Sequence, residues 1–252
     1  MTTPAVSIVM VNRDRARFVE QAIASVLNQT FRDLELVFWD DGSTDESVAI
    51  ARRIEALDPR LRVFEGPAQG VVRAHKSAHV HARGEFLGWV DSDDLLGRTA
   101  LEETAAVLRD RPGVGMVYTG FVVLDEQSRV KGAGTQCRIP YSPTRLLTDF
   151  MTFHFRLMRR EAFEKAGGID DSYTTSPDYD LCLRMSEVTT IAPLQRNLYG
   201  YRVHGGSISE SRRAEQRENS RRMVEAAIRR RGLEGKVRLR VDEQGKFVLE
   251  QI

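Results

Sequence analysis

Three carboxylates stand within four positions at Asp91, Asp93 and Asp94, directly after the apolar stretch Phe86-Leu87-Gly88-Trp89-Val90. Like charges this close resist burial together. A hard divalent cation takes oxygen ligands, and Asp-x-Asp at the end of a rigid strand can present two carboxylates to one ion. Such an ion cancels the repulsion and can bridge to phosphate oxygens. The plainer alternative is that Asp93 and Asp94 are solvated loop residues leading into a helix. A second acidic pair, Asp40-Asp41, follows the apolar run Leu34–Trp39 and precedes Gly42-Ser43. It reads either as a turn with Ser43 as helix cap or as acceptors for a ligand's base or ribose.

The elements that must position these groups are visible in the hydrophobic pattern. Residues 5–11 read as a buried strand. Residues 16–27 read as a helix, with Phe18, Val19, Ala22, Ile23, Val26 and Leu27 at helical spacing. Strand-length runs follow at 34–39, 61–65, 86–90 and 114–124, with a helix predicted at 71–81. Ser43–Glu46 and Thr99–Glu102 have capping-box spacing before two further helices. This alternation over the first 125 residues predicts an α/β domain with a mainly parallel sheet. Ligands of such sheets bind beyond the carboxyl ends of the strands, where both acidic groups fall. Past residue 126, Gly132, Gly134, Pro140 and Pro143 mark loops, and helical pieces are predicted near 143–150, 159–166 and 177–187. Ser209–Arg231 reads as a long polar helix, and 237–241 with 246–251 as a terminal hairpin.

Composition narrows the function. The chain of 252 residues is 41% hydrophobic and 29% charged, with a formal charge of +1. That balance gives no electrostatic case for nucleic-acid binding. Cys137 and Cys182 form no CxxC pair, so neither a zinc ribbon nor a disulfide framework is expected. No secretory signal and no run of about 20 apolar residues is visible, so a cytoplasmic protein without a transmembrane segment is expected. The segment 210–231 holds eight Arg and four Glu. It reads as a solvated helix, with peripheral contact at the inner face of the membrane or a homo-oligomer contact as sharper options. No glycine-rich phosphate loop follows the first strand, where the sequence is Asn12-Arg13-Asp14-Arg15-Ala16-Arg17.

An ordered set of motifs carries a resemblance. Val6–Met10, Ser25–Phe31, Asp40–Asp45, Ala82–Phe86 leading into Asp91–Asp94, Gly167–Asp170, Asp178–Arg184 and Tyr201–Ser209 together resemble family 2 of the inverting glycosyltransferases. They cover roughly residues 5–210. The resemblance implies a GT-A (nucleotide-diphospho-sugar transferase) fold at 1–208, with 1–125 the nucleotide half and 126–208 the acceptor half. Residues 209–252 are then a helix and hairpin extension. It implies a nucleoside-diphosphate sugar donor, UDP-sugar favoured, and a hydroxyl acceptor. Asp41, with Asp40 beside it, is expected at the base. Asp91 is expected at the ribose or the metal shell, and Asp93 on Mn²⁺ or Mg²⁺. Val11, Arg13, His75 and Ser92 complete the expected nucleotide-sugar site. His204 matches a metal-approaching histidine; its plainer role is that of a loop residue. Asp178 matches the general base, and Ser176-Pro177-Asp178 also reads as N-cap, N1 and dipole-complementing acid. Asp180 and Arg184 are expected as a helix-surface pair, and His79 and His81 as surface residues. His154 falls either on the acceptor side or in packing. Trp89 is expected buried, and Trp39 beside the nucleotide pocket.

Three departures from the family pattern stand out. Arg13 replaces a tyrosine near the base, His75-Lys76 replaces Arg-Asn, and Pro177 replaces a glutamate before Asp178. The His75-Lys76 pair reads equally as a phosphate contact or as solvated helix. The departures leave a second reading open, a non-catalytic sugar-nucleotide-binding module that kept the fold.

Overall fold

The computed structural model describes residues 3–205, 212–243 and 245–252. Residues 206–209 of the closing motif, the expected Ser209 start of the last helix, the 208/209 boundary and Gln244 of the hairpin turn lie outside them.

The first half follows the predicted alternation: β1 (Val6–Asn12), α1 (Ala16–Leu27), β2 (Leu34–Asp41), α2 (Ser47–Glu55), β3 (Leu61–Gly66), α3 (Val71–His79) and β4 (Phe86–Trp89). Then come β5 (Leu95–Leu96), α4 (Ala100–Asp110), β6 (Val114–Leu124), β7 (Val130–Ala133), β8 (Arg156–Arg159), α5 (Arg160–Lys165), α6 (Pro177–Val188) and β9 (Thr190–Arg202). The chain closes with α7 (Arg213–Arg230), β10 (Val237–Val241) and β11 (Phe247–Gln251). The main sheet runs β3-β2-β1-β4-β8-β6-β9-β5, with β7 on β6. β1 pairs in parallel with both β2 and β4, and Asn12 lies level with Asp40. The carboxyl ends of three strands therefore share one rim, which brings the 40–41 and 91–94 clusters together.

A buried carboxylate ties this half. Glu35 accepts Ser7 Oγ (2.6 Å), the Arg83 backbone N (2.8 Å) and guanidinium bonds from Arg83 and Arg62. Burial raises its pKa, and these bonds outweigh that and hold it below the usual carboxylate range. Gly84 lets the chain cross β1 here, since a Cβ would stand 2.6 Å from the Ser7 nitrogen.

Four expectations are corrected. Ser43 and Thr99 do not cap their own helices. Ser43 Oγ instead accepts the Asp14 N and Asn12 Nδ2, and Asp45 accepts both Ala16 N at the start of α1 and Ser47 N. The β2–α2 loop thus caps the neighbouring helix, which local spacing does not reveal. Thr99 Oγ1 turns to Glu103. His79 is buried, stacked on Phe163 and edge-on to Trp89, because that face of α3 lies on the sheet. Asp180 is 1% exposed, and its pairing with Arg184 (2.9 Å) is an interior one. α7 is not a free solvated helix: Met223, Val224, Ala227 and Ile228 are buried and the helix packs on α6. Its apolar face is covered by the chain itself. Several of its arginines are paired, Arg221 with Glu218 and Glu225, Arg230 and Arg231 with Glu187. Among the described residues no helix is long and apolar enough to cross a membrane.

Replacing Glu35 by alanine removes the acceptor of the buried Ser7 hydroxyl and the carboxylate that pairs the Arg83 and Arg62 guanidinia. The expected loss is about 2–3 kcal/mol in urea denaturation. Arg62→Ala, a partly exposed partner, should cost less than about 1 kcal/mol.

Candidate active site

A cavity of about 690 Å³ opens at the shared strand rim. All the predicted site residues line it except Asp40 and His204.

Asp41 and Asp40 separate because successive residues of a strand face opposite sides. Asp41 faces the cavity, and its two oxygens accept Gln69 N and Gly70 N, both at 2.9 Å, fixing the loop into α3. Asp40 is buried behind, accepting Asn12 Nδ2 (2.9 Å), Ser43 N (2.7 Å) and Ser43 Oγ (2.6 Å). It shapes the loop and does not reach the cavity. Trp39 likewise lies away from it, with its ring 6.0 Å from that of His81. Arg13 is at the rim with about half of its side chain exposed.

The acidic triplet divides its labour. Asp94 turns inward and accepts Tyr199 Oη (2.8 Å) and the Arg202 backbone N (2.7 Å). Burial, then the charges of Asp93 and Asp91, push its pKa well above normal. Asp93 Oδ2 meets both Arg15 Nε and His204 Nε2 at 2.9 Å. Burial acts to raise its pKa, and these two partners pull it below normal. Asp93 is therefore ionised, and His204 donates through Nε2. His204 stands behind Asp93 rather than on the cavity wall. Asp91 lines the cavity, and its pKa is pushed up to about 7 by burial and then by the charges of Asp93 and Asp178.

Asp178 sits in the first turn of α6 after Ser176, which takes the left-handed backbone conformation (φ 57°), and Pro177 at N1. Its side chain is about one-fifth exposed and bonded to Arg156 Nη2 at 3.1 Å. Arg156 is buried, with its guanidinium over the rings of Trp89 and Phe150. It also donates to the Thr152 carbonyl (2.7 Å). From the other side, Asn219 of α7 donates to Thr174 and Thr175 hydroxyls at 3.0 and 2.9 Å, bracing the turn before Asp178.

His75 lines the cavity uncharged. Burial, then the nearby His79 and Arg156, bring its pKa down to about 3. Lys76 points elsewhere, pairing with Asp171 at 2.6 Å. His154 is buried on the cavity wall, its ring stacked 4.5 Å from that of Tyr199.

Asp91 and Asp93 line the cavity and offer carboxylate oxygens of the kind a hard divalent cation takes, while His204 Nε2 is engaged with Asp93. Asp91, Asp94 and His154 also offer ligand atoms all within 4.8 Å of one another. Asp94 there is already committed to Tyr199 and Arg202.

Sequence reasoning missed Arg15, Arg156 and Arg202 as site residues, and the contribution of α7 and the hairpin. Arg156 lies two residues after His154, and Arg202 lies inside the Tyr201–Ser209 motif, so both are near a signal. Arg212, Arg217 and Phe247 on the cavity wall had none.

Comparison with known proteins identifies the fold and the family. Among solved structures, S. aureus TarS (residues 1–349, with UDP-GlcNAc) superposes with a TM-score of 0.73 at 18% identity, covering 88% of this chain and 66% of that one. The mannosyltransferase PcManGT of Pyrobaculum calidifontis, with GDP-Man and Mn²⁺, gives 0.68 at 21%, covering 91% and 65%. The fold is thus of the GT-A type. Residues 7–167 match Glycosyl transferase family 2, and the chain belongs to that family. A chondroitin synthase of Escherichia coli is 30% identical over 230 residues, 91% of this chain and 33% of the relative. A hyaluronan synthase of Pasteurella multocida is 28% identical over 230 residues, 91% and 24%. The chain spans a quarter to a third of the length of these relatives.

The buried histidines set an acid limit on stability. His75 and His79, at about 3 and about 4 through burial, bind protons more weakly folded than unfolded. Their contribution is complete above pH 6.5 and is lost as pH falls toward the folded values. Between pH 6 and 5 the unfolding free energy should drop by up to about 1.4 kcal/mol per pH unit per histidine. The double variant His75→Gln/His79→Gln should flatten that slope in urea titrations. An unchanged slope would assign the acid sensitivity elsewhere.

Proposed function

We propose that this chain moves a sugar from a nucleoside-diphosphate sugar, UDP-sugar favoured, to a hydroxyl acceptor by a single inverting displacement. The observation that carries the reading is one cavity that holds Asp41, Asp91, Asp93 and Asp178 on its walls. A nucleotide-gripping rim and a candidate base then face the same space. The UDP-GlcNAc held by the TarS structure and the polysaccharide synthases among the relatives favour the same chemistry.

In this reading Asp41 and the loop it braces hold the base, with Arg13 at the rim available to stack on it. Asp178 takes the proton of the acceptor hydroxyl as that oxygen bonds the anomeric carbon and the bond to the diphosphate breaks. Arg156 keeps Asp178 in one orientation, so no search of rotamers precedes the proton transfer. A divalent cation, Mn²⁺ or Mg²⁺, held by Asp91 and Asp93 with His204 beside them, supplies Lewis-acid stabilisation of the leaving diphosphate when bound. Arg15 and His204 hold Asp93 ionised and aimed. The neutral His75 and Trp89 give the cavity an uncharged floor.

Asp178→Asn should lower transfer by about 10²–10⁴-fold. It should leave intact the rise in melting temperature given by a UDP-sugar with Mn²⁺. Asp93→Ala should abolish that rise. Normal transfer by the Asp178 variant would remove it as the base. A folded native protein that shows no shift with UDP-, GDP-, dTDP- or CDP-sugars, with or without Mn²⁺, would overturn the transferase reading.

A further inference from the structure

A second cavity, of about 900 Å³, lies between the segment 136–153 and the C-terminal hairpin. Thr148, Phe150, Phe153 and Phe247 wall both this cavity and the first. The two spaces therefore abut across a partition that is largely aromatic. Phe150 packs on Tyr179, next to Asp178, with ring centres 4.8 Å apart. Phe153 lies edge-on to Phe150 at 5.7 Å and to Tyr201 at 5.6 Å. The rings thus run from the side of Asp178 toward the hairpin.

We infer that the second cavity binds the body of an extended glycan acceptor whose terminal sugar lies at Asp178. The inference rests on the transferase reading above. A sugar ring has an apolar C–H face and a rim of hydroxyls, and the lining has both complements. Phe150, Phe153 and Phe247 offer flat faces, while Gln136, Ser142 and Thr144 offer hydrogen-bonding groups. Arg145 and Asp149, paired at 3.1 Å, add a charged pair that can bond hydroxyls. A lipid tail calls for walls without such groups. Ligand sites of this mixed character, mainly apolar with a few placed polar groups, are typical of small-molecule recognition.

The hairpin that completes the cavity is tied to α7, where Arg217 donates to the Gly245 carbonyl; within the extension Ile252 N donates to Lys236 O (3.0 Å) and Val237 N to Leu233 O (3.2 Å). α7 itself is docked on α6, which carries Asp178. Phe247 is therefore positioned by the same element that braces the turn before Asp178, and the extension becomes part of acceptor recognition.

The test is binding of the full chain to an immobilised panel of linear oligosaccharides graded from two to ten sugars. The panel covers hexose, N-acetylhexosamine and hexuronate series. In at least one series the affinity should rise by about tenfold or more from disaccharide to hexasaccharide and then level off. Phe247→Ala, and independently Thr144→Trp, which fills the second cavity, should reduce the rise to about twofold or less. Thr144→Trp should keep the native melting temperature and the nucleotide-induced shift. Binding without length dependence, a rise that survives both variants, or no binding by protein that gives the nucleotide shift would overturn the inference. Loss of the nucleotide shift in the native protein counts against the transferase reading alone; length-dependent, Phe247-sensitive glycan binding would still uphold the second cavity.

Discussion

Three carboxylates at the end of one core strand cannot be stabilised from within that strand. The compensation comes from residues distant in sequence, and much of the site's architecture follows from where it is drawn. Arg202, at the end of β9, donates its backbone N–H to Asp94 and its Nε to the Asp93 carbonyl at 2.6 Å. Its Nη1 reaches Ser128 Oγ (2.9 Å) and its Nη2 Gln21 (3.2 Å), while the guanidinium covers the ring of Phe18. One buried arginine thereby joins α1, the acidic loop, the β6–β7 turn and β9. Arg15 and His204 complete the set at Asp93. The order of recruitment leaves Asp94 structural, Asp93 aimed, and Asp91 the member least compensated. Burial, then the charges of Asp93 and Asp178, push the Asp91 pKa up to about 7, and Asp91 lies on the cavity wall.

A second buried arginine solves the matching problem at Asp178. Asp178 begins a helix whose N-terminal dipole favours an acid, but a dipole alone does not orient a carboxylate. Arg156 does, from the first position of β8. A buried guanidinium is costly unless its donors are used. Here they are met by Asp178, the Thr152 carbonyl and the faces of Trp89 and Phe150. Trp89 is the last residue of β4, immediately before the acidic loop. The Arg156 cluster therefore reaches the strand that leads into the acidic loop, and Trp89 lines the same cavity as Asp91 and Asp178.

This explains what the sequence disclosed and what it concealed. β1 to β4 and α1 to α3 were legible because parallel strands buried on both faces read as continuous apolar runs and their helices carry clear periodicity. β8 and β9 were not. Arg156-Leu157-Met158-Arg159 begins and ends with charge, and the ion partner of Arg156, Asp178, lies 22 residues away. Thr190–Arg202 contains Pro193 and an exposed Gln195–Asn197 stretch where the pairing with β6 shifts register. Asp91, Asp93 and Asp178 were legible through their motifs, and the cavity unites them. Asp40 was misplaced for want of one piece of geometry, the alternation of faces at a strand end. His79 and the Asp180–Arg184 pair were misread as exposed because polar side chains on amphipathic helices usually are, and only tertiary packing overrides that prior.

The extension shows the same limit from the other direction. Its many charges suggest a solvated rod, and its apolar stripe looks too thin for a core. The stripe is nonetheless wide enough for α6, and docking there sets everything beyond it. Once α7 lies on α6, Asn219 reaches Thr174 and Thr175, and Arg217 reaches the hairpin. Phe247 then faces the two cavities. None of these contacts is local, so no spacing rule announces them. They follow from a single packing event on the helix whose first turn carries Asp178, which couples the end of the chain to that wall of the cavity.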